Sequence, residues 1–264
     1  MQDKTIQILQ EYFGYSTFKL GQKSIIDKIL SGEDVLGIMP TGAGKSLCFQ
    51  IPALALEGTT IVISPLISLM KDQVDTLNEM GIKAAFINSS LSLQEYRSIM
   101  ANAQCGVYKL LYIAPERLDT VSFWELLSEM NISFVAVDEA HCVSEWGHDF
   151  RPSYTKIAGM IAKLPKRPVV AAFTATATPQ VKDDIKKLLM LKKPYVLVTG
   201  FDRENLYFEV DKPRDKFGFL LDYIKKHAGS AGVIYCATRK TVESVWEKLN
   251  KKGIAATRLY ILSV

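Results

Sequence analysis

Long apolar runs are missing from this 264-residue chain: stretches such as Val169–Phe173 are a handful of residues long, against the ~20 that a membrane-crossing helix needs. A transmembrane protein is excluded on that ground. The opening MQDKTIQILQEYF has neither a basic segment leading into an apolar stretch nor an Arg- and Ser-rich, acid-free stretch, so no targeting signal is read and the cytoplasm is the expected address. Cysteine is scarce. Cys48, Cys105, Cys142 and Cys236 are the full set, no two of them form a C-x-x-C pair, and so no zinc and no dithiol redox chemistry are expected. Buried thiols in a reducing compartment are the expectation for all four. Internal repeats and low-complexity tracts are absent too. Net charge is small, +4 from 32 basic and 28 acidic residues, which on its own does not point to nucleic acid.

What is present is a core-forming composition, 48% hydrophobic and 23% charged, at a length that suits one to two domains. Charge is unevenly spread: residues 1–185 hold 16 basic and 20 acidic side chains, residues 186–258 hold 16 and 8. The basic second part fits either a phosphate footprint or a solvated lysine surface. Short β-branched or apolar runs recur at Val35–Met39, Thr60–Ile63, Ala84–Ile87, Leu110–Ile113, Phe134–Val137, Val169–Phe173, Val196–Val198 and Val233–Cys236. Each has the length of a buried strand. Helical spacing lies between them, as in Ile25, Ile26, Ile29 and Leu30 ahead of Ser31-Gly32, and in Thr178–Leu189 with Pro179 in its first turn. The alternation predicts an α/β fold, a mainly parallel sheet flanked by helices, with ligands beyond the carboxyl ends of the strands. A polar stretch around Thr199–Asn205 marks the expected boundary: one lobe over 1–200, and over 201–264 a second, short lobe with a strand, helix, strand, helix series from Leu206.

Met39-Pro-Thr41-Gly42-Ala43-Gly44-Lys45-Ser46 follows one predicted strand and opens a predicted helix. That is the setting of a phosphate-binding loop. Gly42 and Gly44 let backbone N–H groups turn toward phosphate oxygens at a helix N-terminus, Lys45 reaches the β and γ phosphates, and the Ser46 hydroxyl suits Mg²⁺. The strict pattern has Gly where this chain has Met39. Farther on, Phe134–Val137 runs into Asp138 and Glu139, two acids at a strand's carboxyl end. Asp138 suits the Mg²⁺ shell and Glu139 can polarise an attacking water. A kinase or other nucleotide switch shares the loop but has no Asp-Glu-Ala-His quartet and no aromatic-rich loop after it.

The quartet Asp138-Glu139-Ala140-His141, joined to the phosphate loop, resembles the superfamily 2 helicases, and further blocks narrow the resemblance to RecQ ATP-dependent DNA helicases. These are Phe13–Gln22, Val62–Gln73, Leu110–Leu118, Asp138–Pro152, Phe173–Ala177, Phe201–Leu206 and Val233–Cys236. The resemblance implies a P-loop RecA-like lobe followed by the beginning of a second, ATP-driven 3'-to-5' translocation with duplex unwinding, and single-stranded or partly duplex DNA as partner. A bacterial source would place it at the nucleoid. It identifies Tyr15, Lys19 and Gln22 as the adenine-recognition element, with Tyr15 stacking on the base and Gln22 pairing with its edge. The family has Arg where this chain has Lys19, and lysine lacks the planar fork. Ser144–Pro152 corresponds to the aromatic-rich loop that couples DNA binding to hydrolysis. Trp146, Phe150 and Arg151 there combine stacking faces with a cation, while His148 suits either a phosphate or a structural neighbour. Thr174 and Thr176 correspond to the element linking nucleotide state to lobe motion. The pattern fades after Ala256, so the transition-state arginine, zinc-binding and winged-helix parts of the family are expected beyond residue 264. Such a chain is expected to be an incomplete form; the alternative reading is an ATP- and single-strand-binding fragment with little hydrolysis and no unwinding.

Overall fold

A computed structural model describes residues 4–119, 121–200 and 206–260. Seven strands form one sheet: β1 (Val35–Ile38), β2 (Thr59–Ile63), β3 (Ala84–Ile87), β4 (Leu110–Ile113), β5 (Ile132–Val137), β6 (Val169–Thr174) and β7 (Tyr195–Val198). Their order is β3-β4-β2-β5-β6-β1-β7, with every pairing parallel. Parallel strands need crossovers and coverage on both faces. The helices supply these: α1 (Lys4–Phe13), α2 (Gln22–Leu30), α3 (Lys45–Ala55), α4 (Ile67–Glu79), α5 (Leu93–Gln104), α6 (Val121–Glu129), α7 (Ile157–Lys163) and α8 (Pro179–Leu188).

Alternation along β1 sends Leu36 and Ile38 into one core and Val35 into the other. The first core takes Phe123 and Leu126 of α6, Met160 of α7, and Val181 and Ile185 of α8. The second takes Ile25 and Ile29 of α2, Phe49 of α3, and Met70 and Val74 of α4. Helix α1 lies outside this layer and packs Ile8 and Leu9 against Ile26 and Ile51. Among the described residues no helix is long and apolar enough to cross a membrane.

The chain divides into two compact units, Met1–Asp202 and Arg203–Val264. The boundary expected around Thr199–Asn205 falls largely on residues 201–205, outside the described residues, as do residues 261–264. The second unit contains α9 (Lys216–Lys226) and α10 (Arg239–Lys251). Here the strand expectation is corrected: neither the segment from Leu206 nor Val233–Cys236 is a strand. Val233 and Tyr235 are exposed, and an apolar run with no strand beside it has no ladder to join. The thiol expectation is corrected as well. Cys48 and Cys142 are buried, but Cys105 is exposed at the end of α5 and Cys236 is half-buried.

Candidate functional site

Three neighbouring strands, β5, β6 and β1, end side by side, and their carboxyl ends carry the phosphate loop, the paired acids and Thr174. Met39 donates its N–H to the Thr174 carbonyl at 3.0 Å, and Asp138 donates its N–H to the Ile63 carbonyl at 2.8 Å. Backbone ladders thus prolong the sheet by one residue into the site.

After β1 the chain turns through Gly42 and Gly44, both left-handed at φ 84° and 79°. Glycine holds this conformation without steric penalty. At Gly44 a side chain would also meet a neighbour, since a Cβ there would lie 2.4 Å from Gln22 Nε2. Gln22, 1% exposed, donates Nε2–H to the Ala43 and Gly44 carbonyls, each at 3.1 Å, and its Oε1 accepts the Lys19 N–H at 2.8 Å. Lys19 Nζ donates to the Gly42 carbonyl at 2.9 Å. Both residues therefore brace the loop in the structure, and the amide offered for adenine is occupied by loop carbonyls. Tyr15 stands 56% exposed. Lys45 opens α3 and donates Nζ–H to the Met39 carbonyl at 3.2 Å; Ser46 follows it, half-buried, and Thr41 is exposed.

After β5, Asp138 is 5% exposed and accepts the Glu139 N–H at 3.0 Å. Glu139 is left-handed at φ 45°, a conformation that costs a non-glycine residue about 1 kcal/mol or more. Its carboxylate turns back to His141 Nδ1 at 3.2 Å. The two acids are driven apart in proton affinity. Burial, then the charge of Glu139, pushes Asp138 up to about 6. The His141 hydrogen bond holds Glu139 below the usual carboxylate value. Lys45 pulls both downward. His141 Nδ1 also meets Thr174 Oγ1 at 2.9 Å, and Thr174 Oγ1 donates to the Thr176 carbonyl at 3.0 Å, so Thr174 joins the acid pair while Thr176 stands exposed beside it. Tyr154, which sequence reasoning missed, donates its phenol O–H to the Asp138 carbonyl at 2.9 Å from within the core.

The aromatic-rich loop leaves the 3-10 turn Ala140–Val143. Trp146 is 69% exposed, Phe150 is half-buried, and His148 stacks on His141 with ring centroids 4.0 Å apart. This contact gives His148 a structural neighbour. Arg151 donates Nη1–H to the Pro65 carbonyl at 2.9 Å, and Nε–H and Nη2–H to Asp149 Oδ2. Its guanidinium ties the loop's far end to the β2–α4 connection.

A lysine, a hydroxyl and two carboxylates with separated proton affinities, at a loop shaped for phosphate, are equipment for phosphoryl transfer to water. Asp138 and Ser46 are hard oxygen donors of the kind Mg²⁺ takes in ones and twos, with phosphate and water filling the rest of its shell. A desolvated carboxylate with a raised proton affinity is a fitting partner for such a cation. Among the described residues no three His, Cys, Asp or Glu side chains gather as a metal-holding group.

Fold and site together define a P-loop nucleotide-binding lobe of the helicase kind. Residues 19–185 match the DEAD/DEAH box helicases, and the chain belongs to that family. It is 49% identical over 254 residues to the ATP-dependent DNA helicase RecQ of Bacillus subtilis (strain 168), covering 96% of this chain and 43% of that protein. To the protein of the same name from Pasteurella multocida (strain Pm70) it is 45% identical over 256 residues, covering 97% and 40%. The chain thus spans about two-fifths of the length of these curated relatives. Among solved structures, the DUF1998 helicase MrfA shares its fold with a TM-score of 0.67 at 18% identity, over 95% of this chain and 41% of that one.

Proposed function

We propose that residues 1–200 are the ATP-binding lobe of a RecQ-type DNA helicase and that residues 201–264 begin its second lobe. The observation that carries this reading is the meeting of Lys45 and its loop, the Asp138–Glu139 pair and Thr174 at the ends of three adjacent parallel strands. In this reading Tyr15 stacks on adenine, while Lys19 and Gln22 hold the loop that receives the phosphates. Residues Thr41 to Gly44 supply backbone N–H groups, and Lys45 contacts the outer phosphates. Asp138 and Ser46 would hold Mg²⁺, which would supply charge neutralisation on the phosphates. Glu139, kept ionised by His141, accepts hydrogen bonds from the attacking water and orients it. Trp146, Phe150 and Arg151 face single-stranded DNA, with the basic stretch after residue 186 adding phosphate contacts. ATP-driven 3'-to-5' translocation and duplex unwinding belong to the whole enzyme of this type.

The test is titration of a fluorescent ATP analogue with Mg²⁺ against the parent chain and Lys45→Ala. Loss of charge-assisted hydrogen bonds of about 1.5–3 kcal/mol corresponds to roughly ten- to hundredfold weaker binding. Equal affinities remove Lys45 from the site. A second reading, a nucleotide- and single-strand-binding chain with little turnover, is favoured by one observation: the described part of the second unit has two helices and no strand.

A further inference from the structure

Ser144 is fully buried where the aromatic loop departs. Its Oγ–H donates to Asp184 Oδ2 at 2.6 Å, and the same Oγ accepts the Trp146 N–H at 3.2 Å. Asp184 belongs to α8, and its place is fixed by its neighbours: Val181 and Ile185 are buried in the same core as Ala140, Cys142 and Val143. The turn Ala140–Val143 is therefore held at two points by the chain running from β6 into α8. At His141 the grip is Thr174 Oγ1, at 2.9 Å; just past the turn it is Asp184 on Ser144. Gly147 then closes the bend, donating its N–H to the Ser144 carbonyl at 2.9 Å, where a Cβ would lie 2.3 Å from the His141 carbonyl oxygen.

We infer that Asp184 is a positioning residue for the DNA-binding loop, acting through Ser144 on the backbone of Trp146; the inference rests on the proposal that this loop binds DNA. A serine hydroxyl has one proton, and a carboxylate can only accept it. Asp184 thus fixes which way the hydroxyl points and leaves its lone pair for the Trp146 N–H. Removing the carboxylate leaves a buried hydroxyl without its acceptor, and the tether on Trp146 loses its direction. A stacking platform held in place before DNA arrives spares the ordering that binding otherwise requires. The nucleotide loop stays as it is, because Lys19, Gln22 and Lys45 make their bonds within the α2 and β1–α3 region.

The experiment uses the full chain carrying Trp124→Phe and Trp246→Phe, so that Trp146 is the sole tryptophan. Time-resolved anisotropy of Trp146 without DNA, affinity for an oligothymidylate, and affinity for a fluorescent ATP analogue are measured with and without Asp184→Ala, Asp184→Asn, Ser144→Ala and the alanine pair. Asp184→Ala is expected to increase the local motion of Trp146 and weaken oligonucleotide binding about tenfold, with nucleotide affinity unchanged. Asp184→Asn keeps an acceptor oxygen and is expected to stay close to the parent. The alanine pair should be no worse than either single change. The assignment is overturned by unchanged Trp146 motion in Asp184→Ala, by parallel loss of nucleotide binding, or by additive effects in the pair. If the parent binds no oligonucleotide while Asp184→Ala still frees Trp146, the DNA-binding reading falls and the tether stands.

Discussion

Asp138 and Glu139 are adjacent and chemically alike, yet their surroundings give them opposite proton affinities. Asp138 is buried beside Ile63 and Tyr154, and its neighbour's carboxylate adds repulsion; Glu139 leans on an imidazole. The consequence for stability has a definite sign. Asp138 titrates near 3.8 when the chain is unfolded and near 6 when folded, so the folded state holds the proton more tightly. Its contribution is most favourable below the unfolded value, falls as pH rises from about 4 to 6, and stays low above that. In metal-free buffer Asp138→Asn is expected to be more stable than the parent at pH 8, by roughly 3 kcal/mol at most, and to lose that advantage near pH 4. Urea melts of both proteins across this range check it; a gap independent of pH would mean that Asp138 is ionised in the fold as easily as in the unfolded chain. The same variant should lose Mg²⁺-dependent nucleotide binding. On the proposed reading Asp138 costs stability in the empty site and would hold a cation in the filled one, a common trade at functional positions.

At the scale of elements, a polar device lies at the other end of the sheet. Asp34, just before β1, accepts N–H groups from Val170 of β6 at 2.9 Å and from Lys192 ahead of β7 at 2.7 Å, and Arg167 grips both of its oxygens at 3.1 and 2.6 Å. One buried carboxylate thus holds together the starts of β1, β6 and β7; β1 runs into the phosphate loop and β6 ends at Thr174 of the candidate site. Asp34→Ala removes the charge that Arg167 and two N–H groups depend on, and about 3–5 kcal/mol of stability should go with it. The midpoint of chemical denaturation reads this; a loss under about 1 kcal/mol would class the pair with exposed ion pairs. Nothing near Asp34 in sequence announces it, because its partners lie more than 130 residues away. The strands were legible for the opposite reason. Buried parallel strands are short apolar runs, so Val35–Ile38, Leu110–Ile113 and the others carry their own signal. Thr178 with Pro179 likewise announced α8, and Thr178 Oγ1 does accept the Val181 N–H. The loop and the acids of the site lie at strand ends and were legible with the strands. The bracing of the loop by Gln22, the Ser144–Asp184 tether and the Tyr154 bond join distant segments and were not. Val233–Cys236 is the instructive failure: its composition is that of a strand, but pairing is a property of two segments and the described residues provide no second.

For the whole molecule, the two compact units differ in kind. Met1–Asp202 contains the seven-stranded sheet and every residue of the candidate ATP site; Arg203–Val264 shows two helices, with Tyr207, Phe208, Val210, Val233 and Tyr235 exposed among its described residues. Binding and turnover make different demands on such a chain. On the proposed reading, nucleotide binding uses the loop, Lys45 and Asp138, all in the first unit. Hydrolysis at a useful rate needs a cation set against the transferring phosphate, a contribution worth about 10³–10⁵ in rate in related enzymes, and Lys45 is a cation near the paired acids of the first unit. Translocation also needs a second lobe that closes and opens with each nucleotide, and residues 206–260, the described part of the second unit, show two helices and no strand. The 264-residue polypeptide is therefore expected to bind Mg·ATP and single-stranded DNA, the latter with an affinity that falls steeply as salt rises, to hydrolyse ATP slowly, and to leave duplexes paired. A strand-displacement assay on a duplex with a single-stranded 3' overhang decides, run beside Glu139→Gln, which keeps the shape and removes the carboxylate. Unwinding by the parent and none by that control would overturn the expectation, and would place a working cation and a moving lobe within these 264 residues or between two copies of them.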